Sequence, residues 1–318
     1  MTEKQRLNRI LEAAAALREE GQFDEAEQLL TETAHDPKVD ALGPLTSLGL
    51  PRRLQSAMLK LAKVRGDQFR RIAYQFHLVP PPEKLADIVR FTLEERLEIA
   101  RVNDLPVPRV LHQIWIGEIP LPLACAAWAD HARARGYEYR IWREADLERI
   151  GLDANNAFAE MLDKGDYPGA VDIARYEILA REGGIYLDCD WYPARADISF
   201  HDLLPMRGLM ALAEDIPRNT GFGGLLLANS MIAAPADHPV LRRLNAVLGD
   251  VMRTLPEGPA WWTTGPLIFT LAARGGAVTL ADASFVVGSL PQNSPLSQAE
   301  ALAADPATTG LLIAWKSW

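Results

Sequence analysis

The chain has 318 residues, 48% hydrophobic and 24% charged, with a formal net charge of -9, the balance of a globular protein with room for one large domain or two smaller ones. The excess of carboxylates argues against a general nucleic-acid role, which needs a net basic face. The two cysteines, Cys125 and Cys189, lack CxxC spacing and suggest neither a thiolate zinc site nor a disulfide framework.

The opening "MTEKQRLNRILEAAAALREE" is charged throughout and lacks the apolar core of a signal sequence, and no later segment reaches ~18 uninterrupted apolar residues. A reducing cytoplasm is the expected compartment. Residues 1–105 read as helical. "LNRILEAAAALREEGQFDEAEQLLTETA" places apolar or alanine positions at three- and four-residue intervals around a turn at Gly21, a tetratricopeptide-like hairpin, although one unit cannot stack a solenoid. From Pro51 to Pro80 there are seven Lys or Arg and one Asp, with Leu54, Met58, Leu61, Phe69, Ile72 and Phe76 at near-helical spacing. This predicts a basic amphipathic helix, either a solvated face on a helix packed against the main domain or a peripheral contact with an anionic membrane or an acidic acceptor. "VPPPEK" breaks the helix, and "KLADIVRFTLEERLEIAR" resumes it up to "NDLPVP".

Over 106–318 strands and helices alternate. "RVLHQIWIG" reads as a buried strand, "LACAAWADHARARG" as a helix, "YEYRIW" as a strand, "GAVDIARYEILAREGG" as a helix and "GIYLD" as a strand. Such alternation implies βαβ units on a largely parallel sheet, with ligands bound beyond the carboxyl ends of the strands, where Asp188 and Asp190 are expected. Two carboxylates at i and i+2, on the turn leaving a strand, can both reach one Mg²⁺ or Mn²⁺, whose shell is completed by substrate phosphate and water. That chemistry points to a diphosphate. For a bare DxD the alternative is that one Asp caps the turn while the other is solvated.

The run "AVDIARYEILAREGGIYLDCDWYP", together with "VPRVLHQIWIG" upstream, resembles the DXD-containing sugar-transferase family, glycosyltransferase family 32, which includes yeast mannosyltransferases. The catalytic domains of the large clostridial glucosylating toxins look like distant relatives. The resemblance covers roughly Pro108 to Trp318, and "NSMIAAPADHPVL" from Asn229, "TGP" from Thr264 and the terminal "SW" fit in order. It implies an α/β nucleotide-sugar-binding domain of the GT-A type behind the helical region, and a residue-by-residue assignment. Trp115 in "HQIWIG" (His112 to Gly117) stacks on the nucleotide base. The Asp172 carboxylate accepts from sugar hydroxyls and the Arg175 guanidinium contacts sugar or phosphate oxygens, although an intrahelical ion pair is the simpler reading of that spacing. Asp188 and Asp190 are the metal aspartates and Asn229 holds a hydroxyl or the leaving phosphate; these three are the expected catalytic set. Gly183 and Gly184 close the helix in a left-handed turn and bring backbone close to the donor. Ser317 and Trp318 fold over the diphosphate. Strand alternation turns Cys189 to the opposite face, as packing.

The chain departs from the family in one place. A histidine a few residues before the "SW" is missing from "GLLIAWKSW", so the third protein ligand falls to Asn293, Ser294 or water, and Lys316 can serve phosphate only as a point charge.

The expected activity is metal-dependent transfer (Mn²⁺ or Mg²⁺) of a sugar from a UDP- or GDP-linked donor to a glycan, lipid-linked or protein acceptor, with retention by same-face attack because no carboxylate nucleophile can be picked out. The alanine- and arginine-rich composition suggests a bacterial enzyme feeding an envelope or capsule polysaccharide pathway. Two other classes compete. A non-catalytic nucleotide-sugar-binding scaffold fits the missing histidine. A haloacid-dehalogenase-type phosphohydrolase also ends a strand in DxD, but Trp191-Tyr192 follow here, in mid-chain.

Overall fold

The computed structural model describes residues 1–214, 217–221 and 223–318. Helix α1 (Glu3–Glu19) starts at Thr2, whose hydroxyl accepts from the Gln5 N–H while the Gln5 side chain accepts from the Thr2 N–H, a reciprocal cap. Gly21, at φ 79°, turns the chain into α2 (Phe23–Ala34), the hairpin expected from the apolar spacing. The basic stretch is two helices rather than one. Gly66, left-handed at φ 70°, ends α3 (Arg52–Arg65), and Asp67 starts α4 (Gln68–His77) by accepting from the Arg70 N–H. The segment after "VPPPEK" is likewise split into α5 (Glu83–Ala86) and α6 (Leu93–Val102), with Thr92 and Glu95 forming a second reciprocal cap.

Leu7, Leu30, Leu54 and Leu61 form a core of their own. Val79, Leu85, Phe91 and Ile99 are instead buried in the large core beneath the sheet. Hydrophobic packing therefore changes hands earlier than residue 105, where the sequence pattern changes.

The remaining elements, in order, are β1 (Val110–Ile114), α7 (Leu123–Arg135), β2 (Glu138–Trp142), α8 (Glu144–Arg149), α9 (Asn156–Asp163), α10 (Tyr167–Glu182), β3 (Gly184–Leu187), β4 (Trp191–Pro193), α11 (Phe200–Leu203), β5 (Met210–Ala213), β6 (Leu227–Ala234), α12 (Pro239–Thr254), α13 (Ala260–Thr263), α14 (Pro266–Ala273), β7 (Thr279–Leu280), β8 (Val286–Ser289), α15 (Leu296–Ala304) and β9 (Leu312–Ala314). The main sheet runs β2-β1-β3-β6-β5-β7. Strand β1 is parallel to β2 and β3, as the βαβ pattern requires, but β6 is antiparallel to both of its neighbours, so the sheet is mixed. Asn229 lies within β6, not after it.

Side chains alternate across β3. Tyr186 joins the core on the α10 face, while Ile185 and Leu187 join the core on the opposite face with Trp128 of α7. A small second sheet, β4-β9-β8, begins directly after the DxD and pairs Trp191 with Ala314, so the end of the chain is hydrogen-bonded beside the two aspartates.

The glycine pair is explained by packing. Gly183 (φ 66°, ψ -163°) ends α10 outside the left-handed helical region, and a Cβ there would meet the Ala236 nitrogen at 2.5 Å. At Gly184 (φ 101°) a Cβ would meet the Val110 carbonyl oxygen at 2.7 Å and the His112 ring at 3.0 Å. Together the two glycines therefore approach β1 and the chain leaving β6 closely. His112 is buried: its Nδ1 accepts from the Trp142 indole at 3.1 Å and its Nε2 lies 2.9 Å from the Gly183 carbonyl. Burial lowers its pKa to about 4, so the ring is neutral and structural. Gly184→Ala is expected to destabilise the fold by about 3 kcal/mol or more, since neither a strand carbonyl nor the positive φ can yield. Chemical denaturation measures this, and a loss below about 1 kcal/mol would contradict it.

Candidate active site

The spacing of α10 places Asp172, Arg175 and Tyr176, at i, i+3 and i+4, on one helix face. The alternation of β3 turns Tyr186, and Asp188 two residues later, toward that face. Arg175 joins them. Its guanidinium lies 3.1 Å from Asp172 Oδ1 and 3.0 Å from Asp188 Oδ1, donates to the Asn229 carbonyl, and sits 4.4 Å from the centre of the Tyr186 ring.

The rest of the cluster closes around this cation. Tyr186 donates to Asp188 Oδ1 at 2.7 Å, Asn229 Nδ2 donates to Asp172 Oδ1 at 2.8 Å and to Tyr176 Oη at 3.0 Å, and Thr264 Oγ1 donates to Asp172 Oδ2 at 3.0 Å. Tyr176 donates onward to the Thr264 carbonyl at 2.8 Å. Asp172, Arg175 and Asn229 are buried, so these contacts replace water rather than compete with it. Asp172 and Arg175 form the intrahelical ion pair, but the pair is one edge of a network that reaches the first aspartate of the DxD.

Electrostatics separate the two DxD carboxylates. Burial raises the Asp188 pKa while the Arg175 charge and the Tyr186 hydroxyl oppose that rise. Burial, and next the Asp188 charge, push Asp190 up to about 6. Burial likewise lifts Asp172 to about 6 against Arg175. For Arg175, burial acts downward, but Asp188, Tyr186 and Asp172 around it outweigh that and hold the guanidinium above its usual range. Among the described residues, no side chain hydrogen-bonds or pairs with the Asp190 carboxylate. Its main chain is fixed, because the Trp315 N–H donates to the Asp190 carbonyl at 2.6 Å. Cys189, between the two aspartates, is buried and its thiol donates to the Ile114 carbonyl at 3.3 Å.

The two tryptophans expected at the nucleotide meet each other. The rings of Trp115 and Trp318 are 4.8 Å apart at 82°, edge to face. Trp115 donates to the Ile119 carbonyl at 2.7 Å and Gln292 Nε2 to the Trp318 carbonyl at 2.8 Å, while Ser317 lies between Trp318 and the segment bonded to Asp190. Asn293, at φ 60°, donates its N–H to the Lys316 carbonyl at 2.8 Å. The Ser294 hydroxyl donates to the Pro291 carbonyl at 2.7 Å, and its own carbonyl accepts from the Trp315 indole at 2.8 Å. Both residues offered as a third metal ligand therefore take part in holding the tail.

Among the described residues there is no group of three or more His, Cys, Asp or Glu that could hold a metal ion. The donor set is two carboxylates, which suits a hard cation that keeps waters and takes oxygens from a phosphate substrate. Asp190, half-buried and without a side-chain partner among the described residues, is the group whose charged form such a cation would relieve.

Sequence reasoning did not single out Tyr176 or Tyr186. The available signals were the i+4 spacing from Asp172 in "DIARYE" and the i−2 spacing from Asp188 in "YLD".

Residues 124–204 match a family model described as "Glycosyltransferase sugar-binding region containing DXD motif". In that region the chain is similar to DXD-containing glycosyltransferases. The match covers less than half of the chain and takes in α10, β3, both aspartates and β4. With the DxD at the carboxyl end of a central strand of an α/β sheet, the architecture is of the GT-A kind. A solved structure titled "PaToxG Glycosyltransferase" is similar at 18% identity with a TM-score of 0.44, over 60% of this chain and 76% of that one. No curated protein sequence matches.

The Asp190 shift has a consequence for stability. A carboxyl held near pKa 6 in the folded protein, above the ordinary 3.8, favours folding only when protonated. That contribution is present below about pH 4 and is lost as the pH rises through about 6. Asp190→Asn, always neutral, is therefore expected to stabilise the protein in chelator at pH 7.5 by about 1 kcal/mol after allowance for partial exposure, read as a higher Tm, with the gain vanishing near pH 4. Thermal unfolding across that range checks it, and a gain independent of pH would contradict it.

Proposed function

We propose that the protein is a metal-dependent glycosyltransferase that moves a sugar from a nucleoside-diphosphate donor to a glycan, lipid-linked or protein acceptor, with retention of configuration. The observation that carries this reading is the unequal DxD: Asp188 is locked to Arg175 and Tyr186, while Asp190, half-buried and adjacent, has no side-chain partner among the described residues. One carboxylate is fixed in place and the other is left for a cation.

In this reading Asp188 and Asp190 hold Mn²⁺ or Mg²⁺, which when bound neutralises charge developing on the departing nucleoside diphosphate. Trp115 and Trp318 clasp the base and diphosphate end, Trp318 leaving the Trp115 ring as the donor enters. Arg175 orients Asp188 and, through Asp172 and Asn229, stiffens the floor under the sugar. No enzyme carboxylate is assigned as nucleophile, so the acceptor hydroxyl attacks on the leaving-group face and the departing phosphate takes its proton.

UDP or GDP should raise Tm strongly only when Mn²⁺ or Mg²⁺ is present. Equal stabilisation in chelator would remove the metal from the reading. Asp190→Asn should abolish sugar transfer with the fold intact, and a variant keeping more than about a tenth of wild-type activity, a loss below ~1.4 kcal/mol of barrier, would mean the residue is misassigned.

The compartment proposed is the cytoplasm, with the basic helices α3 and α4 as the contact to an anionic membrane. Arg52 stacks on Trp262 at 5.1 Å, and Arg65 and Arg70 pair with Asp24 and Glu27. Arg53, Lys60, Lys63 and Arg71 carry the remaining charge next to exposed Val64, Phe69 and Ile72. If the acceptor is membrane-borne, the protein should co-sediment with anionic vesicles at low salt and leave them by roughly 0.5 M salt. Charge reversal at Arg53, Lys60 and Lys63 should abolish this without touching donor binding, and absence of vesicle binding at low salt would favour a soluble acceptor.

A further inference from the structure

Lys316 occupies the stretch where the family resemblance leads one to expect a histidine, and the tail fixes its position tightly. Strand β9 pairs antiparallel with β4, Trp191 opposite Ala314. The next residue, Trp315, is bonded through its N–H to the Asp190 carbonyl at 2.6 Å, and the Lys316 carbonyl accepts from the Asn293 N–H at 2.8 Å. The backbone of Lys316 is thus held one residue beyond a direct hydrogen bond to the second DxD aspartate.

Its ammonium group is available. It is exposed, lies 5.6 Å from the centre of the Trp318 ring, and pairs with no carboxylate among the described residues.

The charge balance calls for such a group. Asp172, Asp188 and Asp190 face one guanidinium, and Arg175 is already divided between two of them. A divalent cation on the DxD would offset the carboxylates and leave the charge of an incoming diphosphate without a fixed protein partner on the tail side. A lysine there is a compact point charge on a flexible stem, able to turn from the Trp318 ring onto phosphate oxygens.

We propose that Lys316 is a phosphate-binding residue of this site: in the donor-free protein its ammonium rests over Trp318, and with donor bound it engages the diphosphate. It then supplies charge to the leaving group where a third metal ligand is missing. The inference rests on the glycosyltransferase reading above.

The test compares wild type, Lys316→Met and Lys316→Arg by titration calorimetry with UDP and GDP at saturating Mn²⁺, and by electron paramagnetic resonance with Mn²⁺ alone. Lys316→Met should weaken binding of the diphosphate about tenfold or more, while Lys316→Arg stays within about threefold of wild type. Without nucleotide, Lys316→Met should bind Mn²⁺ no less tightly than wild type, so that its defect is specific to the diphosphate. Thermal unfolding confirms that the variants fold. If wild type binds diphosphate and Lys316→Met binds it equally well, the inference fails while the glycosyltransferase reading stands. If wild type binds neither UDP nor GDP with Mn²⁺, that reading fails and the inference with it.

Discussion

Arg175 is the interaction on which the site depends. Its one guanidinium, buried on α10, meets the carboxylates of Asp172 and Asp188, the Asn229 carbonyl and the face of Tyr186. A helix, the end of β3 and the middle of β6 are pinned through a single planar cation with several donors, a geometry that lysine cannot reproduce. Removing that cation would leave the buried Asp172 and the half-buried Asp188 without a counter-charge, a larger penalty than losing a surface pair. The network therefore fixes the DxD turn while one of its aspartates stays unengaged.

A second constraint comes from the end of the chain. The strand that follows the DxD pairs with β9, so the residues that would close over a donor are tied by backbone hydrogen bonds to the residues that would hold its metal. Trp318 resting edge-on against Trp115 gives the tail a place in the absence of donor. In the proposed reading, closure over a donor would exchange one aromatic contact for another rather than order a free segment at full entropic cost.

The helical segment before the sheet is also tied to the catalytic half. Val79 to Ile99 lie in the core shared with α10, α12 and α14, and Arg52 packs on Trp262 just before the Thr264-Gly265 turn that serves Asp172. Much of its positive charge is absorbed internally by Asp24, Glu27 and Trp262. The exposed apolar residues Phe69 and Ile72 are thus a more distinctive feature of α3 and α4 than the count of cations.

Local sequence by itself determined the helical hairpin around Gly21, the alternation of strands and helices after residue 105, and the position of the two aspartates at the end of a buried strand. Each follows from a period of 3.6 or 2 and from turn chemistry contained within a dozen residues. It also brought Asp172 and Arg175 onto one helix face. Tertiary structure alone decided that this pair serves Asp188, that the Asn229 amide is spent on Asp172 and Tyr176, and that Gly183 and Gly184 make room for β1 and the chain after β6. It also decided that β6 runs antiparallel, that the basic stretch folds as two helices, and that the tail lies against Trp115. The reason is physical: these outcomes depend on contacts between residues tens to hundreds of positions apart, such as Thr264 with Asp172 or Trp315 with Asp190. No local period encodes which distant donor satisfies a buried carboxylate.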